Sequence, residues 1–221
     1  MTQNRSSAVM QQRSEPHDSL DDFPTPPWAT RVLCEWINEK VPGPRIDTLT
    51  ARDPAANRGH MVRPLREYFA QVDGSDVHDY GAGFPVFDFV GMEILPPVDW
   101  TITNPPFKLA EDFITRAVCT SRVGFAVLVR LAFLEGVGRY QRMFSVLPPL
   151  AILPFTERVV MHKGRLTATG STATAYCWLV WVKHHGSFVN WGATETHWIA
   201  PCRKRLERVE DYEDAGREVM F

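Results

Sequence analysis

The string Thr103-Asn104-Pro105-Pro106-Phe107 combines residue types that could bind a planar amine. Proline disfavours helix at the residue before it and has no backbone N–H, so the string predicts a rigid, extended ledge. The side-chain oxygen of Asn104 and the carbonyl oxygen of Pro105 are then available as hydrogen-bond acceptors, and Phe107 adds an aromatic face. This chemistry suits a planar ring with an exocyclic amino group. The alternative is an ordinary proline-rich turn.

A second candidate site is the segment DPAANRGH, residues 53–60. Its small side chains would let the backbone approach a bound nucleotide closely, with Gly59 as the close-packing glycine. Asp76 follows Asp53 by 23 residues, near the distance at which nucleotide-binding folds place the acid that binds ribose hydroxyls. Neither feature is specific alone, because a strand, a turn and an acid occur in many loops.

Alternating strands and helices must position these residues. Apolar residues at helical spacing predict helices over about 28–40, 60–70 and 108–121. Short strand-like segments predict strands over 45–50, 71–75 and 98–103, and segments rich in apolar residues predict strands over 123–130, 150–161 and 175–183. This alternation favours a Rossmann-like α/β fold, in which ligands bind beyond the carboxyl ends of the strands. Both candidate sites follow predicted strands.

Composition excludes several classes of protein. The chain has 221 residues, of which 44% are hydrophobic and 23% charged, as in an ordinary globular domain. No apolar run reaches 18 residues, which excludes a membrane span. His184, His185 and His197 lack metal-ligand spacing, so we expect no metal site. The cysteines are too far apart for a zinc knuckle or a redox pair: Cys34, Cys119, Cys177 and Cys202.

The charge distribution points to a polyanionic partner or to a balanced surface. Between Arg116 and Arg165 the chain has eight basic and two acidic residues, a balance of +6 in a protein of net charge −2. Such asymmetry is typical of chains that bind nucleic acid. The alternative, of equal weight, is a solvated face neutralised by acids from elsewhere in the chain.

These motifs, in their order, resemble those of the S-adenosylmethionine-dependent amino-group DNA methyltransferases. DPAANRG, Asp76, Asp88-Phe89 and TNPPF match motifs I to IV, and FPTPPWAT at 23–30 resembles the motif X that precedes them. The order X, I, IV is that of the gamma-type adenine-N6 group, and the compact chain is similar to small phage and prophage enzymes. The resemblance covers about 23–183, with most of its specificity in TNPPF.

The resemblance implies a class I methyltransferase fold, with a mostly parallel seven-stranded sheet and helices on both faces. It implies S-adenosylmethionine as the cofactor, bound by Thr25, Pro26, Asp53, Ala55, Ala56, Gly59, Asp76, Asp88, Phe89 and Asn104. Within this set Asp76 would bind the ribose, and Asp88 with Phe89 the adenine ring. The catalytic positions would be Asn104, Pro105, Pro106 and Phe107. The family usually has glycine where this chain has Asn57, which tolerates positive φ but could weaken cofactor binding.

The implied reaction is methyl transfer to the exocyclic N6 amine of adenine in DNA, with the base flipped out and stacked on Phe107. Two alternatives remain open. The same ledge serves families that methylate adenine in RNA or a glutamine side chain in release factors, and a non-catalytic nucleic-acid-binding or partner subunit could keep the fold. The basic stretch favours nucleic acid over peptide, and an intact TNPPF with Asp53 and Asp76 argues against loss of activity.

The domain organisation expected from the sequence is simple. We expect a disordered lead at 1–22, a catalytic domain at 23–200 and a charged tail at 201–221, with a solvated helix from Arg203 to Arg208. Fewer than 40 residues follow Lys183, so we expect no separate target-recognition domain; sequence preference would come from the loops 131–146 and 162–174. DNA is the expected partner, and RNA is the second choice. We expect a monomer without a membrane anchor, in the cytoplasm of a bacterial or phage-infected cell.

Overall fold

The structure, a computed structural model, describes residues 21–189 and 193–216. The predicted disordered lead therefore lies outside the described residues except for Asp21 and Asp22. The helices are α1 (Pro27–Lys40), α2 (Val62–Leu65), α3 (Ala110–Thr120), α4 (Val137–Arg139) and α5 (Arg203–Leu206). The strands are β1 (Thr50–Asp53), β2 (Gln71–Gly74), β3 (Val98–Thr103), β4 (Ser121–Arg130), β5 (Ala151–Pro154), β6 (Tyr176–His184), β7 (Ser187–Phe188) and β8 (Glu195–Thr196).

One mixed sheet contains the described strands, in the order β2-β1-β3-β4-β6-β5-β8, with β7 paired to β6. Strands β1 to β4 are parallel, whereas β6 runs antiparallel to both β4 and β5. The predicted Rossmann-like α/β fold is confirmed. The sheet has eight strands instead of seven, because β6 turns back into the two-residue β7.

Helices cover both faces of the sheet, as predicted. Helices α1, α2 and α5 pack against one face, which includes Ala126 and Leu128 of β4. Helix α3 packs against the other face, which includes Phe125 and Val127 of the same strand. Strand β4 is therefore buried on both sides, which explains its continuous apolar sequence. None of the described helices is long and apolar enough to cross a membrane.

Three predicted element boundaries are wrong, and local sequence accounts for each. The first strand is Thr50–Asp53 and not 45–50, because residues 46–48 form a 3-10 turn that starts shortly after Pro44. The predicted helix 60–70 is reduced to the short α2, which contains Pro64. The predicted strand 150–161 ends at Pro154, which has no N–H to donate to a neighbouring strand.

The charged C-terminal segment packs onto the domain. Arg31 of α1, which is only 3% exposed, donates hydrogen bonds to both carboxylate oxygens of Asp211 and to the carbonyl of Leu206. Leu206 itself lies in the same core as α1. The predicted helix that starts at Arg203 is present as α5, with Lys204 and Arg205 exposed, and Leu206 attaches it to the domain.

Candidate functional site

A cleft opens where β1, β2 and β3 end. The pairing of Arg52 with Thr101 places the end of β1 beside the last residues of β3, so the loop after Asp53 meets the ledge. Most of the residues predicted from the sequence line this cleft together: Thr25, Asp53, Ala55, Ala56, Asp76, Asp88, Phe89, Asn104 and Pro106. Parallel topology thus brings together motifs that are far apart in sequence.

Asn104 has one side-chain atom fixed and one without a partner. Its Nδ2 donates to the carbonyl of Phe23 and to Oγ1 of Thr25, both at 3.1 Å. Because a carbonyl can only accept, this contact fixes the orientation of the amide. Its Oδ1 is buried and accepts no hydrogen bond from the described residues. A buried acceptor without a donor is costly, so Oδ1 is well placed to accept from a ligand.

The ledge separates the cleft from a second cavity. Asn104 and Pro106 line the cleft, whereas Pro105 and Phe107 line a second, open cavity. The other residues that line this second cavity come mainly from the end of β4 and from the segment after it: Ala110, Val129, Arg130, Ala132, Phe133 and Arg139. The ledge therefore touches two binding spaces through alternate residues.

The guanidinium of Arg130 covers the ring of Phe107. Its Cζ lies 3.7 Å from the centroid of that ring, a close cation–π contact. Arg130 is exposed and forms no ion pair with the described residues. The sequence analysis assigned Arg130 only to the basic stretch and missed this contact, because the pairing of β3 with β4 brings Arg130 to Phe107.

Two carboxylates at the base of the cleft are unusual in their burial. Asp53 at the end of β1 is only 1% exposed and accepts a hydrogen bond from the N–H of Ala55 at 3.2 Å. Burial raises the pKa of the Asp53 carboxyl to about 7. Asp76 accepts from the N–H of Asn57 at 2.9 Å and from that of His78 at 3.0 Å. Burial also raises the pKa of Asp76.

The loop 53–60 has a positive φ at two positions, and these are occupied by asparagine and glycine, which tolerate it. Asn57 adopts a φ of 51°, the positive value that asparagine tolerates. Gly59 has a φ of 83°, and a Cβ there would lie 2.9 Å from the ring of Phe84. Glycine is thus required at position 59 both for its conformation and for its packing.

Four predicted site residues do not line the cleft. Pro26 is buried and directly precedes α1, and Gly59 acts through the shape of its loop. Pro105 and Phe107 face the second cavity. The sequence analysis also missed residues that do line the cleft, among them Asp21, His60, Met61, Val77, Tyr80 and Phe87. Asp21 was assigned to the disordered lead because its neighbours are polar.

Charge differs sharply between the two spaces. The described lining of the cleft includes four carboxylates and no lysine or arginine; the four are Asp21, Asp53, Asp76 and Asp88. The lining of the second cavity includes Arg130 and Arg139 and no carboxylate. A cationic ligand therefore suits the cleft and an anionic one the second cavity.

Three of the eight basic residues between Arg116 and Arg165 form ion pairs within the fold. Arg122 pairs with Asp99 at 2.9 Å, while Arg139 and Arg142 both pair with Glu111. For these three arginines the alternative of acids from elsewhere in the chain is confirmed. No group of metal-binding side chains occurs among the described residues.

Comparison with solved structures identifies the fold. No family model and no curated protein matches the chain. A candidate class I S-adenosylmethionine-dependent methyltransferase from Listeria monocytogenes superposes with a TM-score of 0.61 at 12% identity, over 79% of this chain and 65% of that one. The fold is that of class I S-adenosylmethionine-dependent methyltransferases.

Two further structures with the methyltransferase fold are similar. A candidate RNA methyltransferase from Pyrococcus horikoshii has a TM-score of 0.56 at 17% identity, over 77% of this chain and 91% of its own. A modification subunit of a candidate type I restriction enzyme from Vibrio vulnificus has a TM-score of 0.53 at 16% identity, over 90% and 54%. This chain therefore spans less than two thirds of the Listeria and Vibrio proteins.

Proposed function

We propose that the protein transfers a methyl group from S-adenosylmethionine to the exocyclic N6 amine of adenine in DNA, with the base flipped out. The observation that carries this proposal is the buried, unpartnered Oδ1 of Asn104. It stands at the boundary between an acidic cleft and a basic, aromatic cavity. An amine donor that reached it would lie between the two.

The acidic cleft fits the cofactor. S-adenosylmethionine supplies an electrophilic methyl group on a positively charged sulfur, and four carboxylates in the lining favour a cation. Asp76 would bind the ribose hydroxyls, and Asp88 with Phe89 would meet the adenine ring. The remaining contacts would come from Thr25, Asp53, Ala55, Ala56 and Asn104, with Gly59 shaping the loop and Pro26 the start of α1.

The ledge fits an amine. The lone pair of an amino group conjugated to a purine is delocalised and a poor nucleophile. Acceptors at Oδ1 of Asn104 and at the carbonyl of Pro105 would hold its two hydrogens and favour a pyramidal nitrogen. This contact stabilises the transition state more than the planar ground state, as catalysis requires. The proton can leave the nitrogen after transfer, so no strong base is needed beside Asn104.

The second cavity fits a flipped nucleotide. Phe107 offers a ring on which the base would stack. Arg130 lies over that ring at 3.7 Å, so it must move when a base enters. Displacing an exposed cation–π contact costs about 0.5–1 kcal/mol, less than the roughly 1–3 kcal/mol of base stacking.

DNA is proposed over RNA because the motif order resembles the adenine-N6 DNA enzymes. The likeness to a restriction-modification subunit is compatible with this choice. The likeness to a candidate RNA methyltransferase makes RNA the main competing substrate.

The test is transfer of a labelled methyl group to several acceptors. Purified full-length protein is incubated with labelled S-adenosylmethionine and with duplex DNA, single-stranded DNA or RNA of mixed sequence. We expect label in DNA. Label in RNA alone would change the substrate class, and calorimetric binding of the cofactor without transfer to any polymer would favour a non-catalytic subunit.

A further inference from the structure

Residues 21–25, which we call the strap, cross the front of the site directly before α1. Asp22 is only 8% exposed. Its carboxylate accepts a hydrogen bond from Nδ2 of Asn57 at 2.6 Å and pairs with the guanidinium of Arg58 at 3.0 Å. The carbonyl of Asp22 also accepts from the N–H of Gly164 at 2.8 Å. This end of the strap is therefore anchored to the loop 53–60.

The neighbouring residues of the strap hold the ledge. Asp21 accepts a hydrogen bond from the N–H of Phe107 at 2.8 Å. Phe23 accepts from Nδ2 of Asn104 at 3.1 Å, and its ring lies 5.4 Å from that of Phe107. The strap therefore contacts the ledge at Asn104 and at Phe107. Both oxygens that accept from Nδ2 of Asn104 belong to the strap, one from Phe23 and one from Thr25.

Asn57 carries a side chain where its backbone would favour glycine. Its φ of 51° is a conformation that glycine adopts at lower cost. The side chain has three hydrogen bonds: Nδ2 donates to Asp22, and Oδ1 accepts from the N–H of Arg58 at 2.7 Å and from its guanidinium at 3.1 Å. The bond to Asp22 involves a charged, buried acceptor, the stronger class of hydrogen bond. The contact with the strap explains why asparagine stands at this position.

We infer that Asn57 and Asp22 are positioning residues that fix the orientation of Asn104 through the strap. The loop 53–60 sets the position of Asp22 and therefore of the whole strap. Phe23 of the strap then holds the side-chain amide of Asn104, so that Oδ1 of Asn104 stays available. The inference rests on the proposed function for its catalytic meaning. Its mechanical part, the coupling of Asn57 to the ledge, stands on the hydrogen bonds alone.

Hydrogen exchange of the full chain without ligand tests the mechanical part. Asn57→Gly keeps the backbone conformation accessible and removes only the side chain. We expect exchange to become about tenfold faster in peptides that cover the strap and 104–109, because a charge-assisted bond that holds them is lost. Peptides from β6 should not change. Faster exchange confined to 53–60 would overturn the inference, whatever the activity.

Kinetics test the catalytic part. With Asn57→Gly we expect the transfer rate at saturating cofactor to fall about tenfold, while calorimetric affinity for S-adenosylmethionine stays within about twofold. Asp22→Ala should behave in the same way, and Asp22→Asn, which keeps one acceptor for Asn57, should recover part of the rate. The matched control is Asp47→Ala, because Asp47 is an exposed aspartate outside the site.

The outcomes separate the two proposals. An unchanged transfer rate alongside faster exchange at 104–109 would overturn the positioning role. Equal rates for Asp22→Asn and Asp22→Ala would do so as well. If the wild-type chain binds no S-adenosylmethionine, the proposed function fails, and the exchange experiment still decides whether the strap couples the loop to the ledge.

Discussion

The cleft and the second cavity share the ledge 103–107 but differ in how they are built. The cleft has four carboxylates, and its acids at Asp53 and Asp76 already accept backbone hydrogen bonds. The second cavity is aromatic and basic, and the ring of Phe107 is covered by a single arginine without an ion pair among the described residues. The acids of the cleft are therefore held in place before a ligand binds, whereas in the second cavity Arg130 must move before a base can stack on Phe107.

The difference matches two different ligands. A cationic cofactor needs buried acids held in place, because ordering them at the moment of binding would cost affinity. A base that arrives from a nucleic-acid chain needs a face that can be uncovered. The proposed reaction therefore moves a methyl group from an ordered acidic space, across Asn104, into an adjustable basic one. Substitutions on each side can test the two spaces separately.

The largest effect is expected at the ledge. Asn104→Ala removes the acceptor for the amine, and we expect single-turnover methyl transfer to fall by at least about a hundredfold, as when other preorganised dipoles are removed from active sites. Cofactor affinity in calorimetry should change only a few-fold. Transfer at the wild-type rate would mean that the string 103–107 is only a turn.

The second largest effect is expected for a substitution in the acidic cleft. Asp76→Ala should weaken S-adenosylmethionine binding by roughly 1.5–3 kcal/mol, the range for a hydrogen bond to a charged group. Asp79→Ala is the matched control, since Asp79 is exposed and does not line the cleft. Equal calorimetric affinity for the two variants would remove Asp76 from the cofactor site.

The aromatic face should give an effect of similar or smaller size. Phe107→Ala should weaken capture of the flipped base by about 1–3 kcal/mol, whereas Phe107→Trp keeps a stacking ring and should retain much of the activity. The measurement is the substrate dependence of single-turnover transfer. A loss of equal size in both variants would show that stacking is not the role of Phe107.

The pH dependence of the cleft follows from Asp53. Its pKa is raised to about 7 by burial, so the carboxyl is neutral below that pH and ionised above it. A cation should therefore bind about tenfold more tightly at pH 8 than at pH 6. Stability should fall as pH rises from about 4 to 7, because the folded state holds a proton that the unfolded state releases. Thermal unfolding and calorimetry of Asp53→Asn should show both trends reduced; unchanged trends would assign them to other groups.

The smallest effect is expected at Arg130. Arg130→Ala uncovers the ring of Phe107, so capture of a base from single-stranded DNA should improve about twofold to fivefold, the size of an exposed cation–π contact. Arg66→Ala, which removes an exposed charge at the end of α2, controls for charge alone. Weaker capture in Arg130→Ala would mean that Arg130 binds the nucleic acid directly.

The sequence was sufficient for the parts of the site that local rules determine. The strand Val98–Thr103 follows from apolar residues that alternate with polar ones, and the ledge follows from the two prolines after Asn104. The loop after Asp53 follows from small residues and from glycine at position 59. Parallel topology then predicts that both meet at one edge of the sheet.

The remaining contacts join residues that are distant in sequence. Asp22 belongs to a polar stretch without periodicity, and only the fold brings it to Asn57. Arg130 reaches Phe107 through the pairing of β3 with β4. The C-terminal segment is highly charged, yet Asp211 is buried because Arg31 neutralises it. No local pattern encodes such pairs, so the sequence alone does not predict them.

The identity of the methylated nucleoside tests the central claim most directly. Mixed-sequence duplex DNA is incubated with the wild-type protein and labelled S-adenosylmethionine, digested to nucleosides and separated by chromatography. We expect label in N6-methyldeoxyadenosine, because in the proposed mechanism the ledge would hold an exocyclic amine beside the ring of Phe107. Label at C5 of cytosine, or label in protein alone, would contradict this claim.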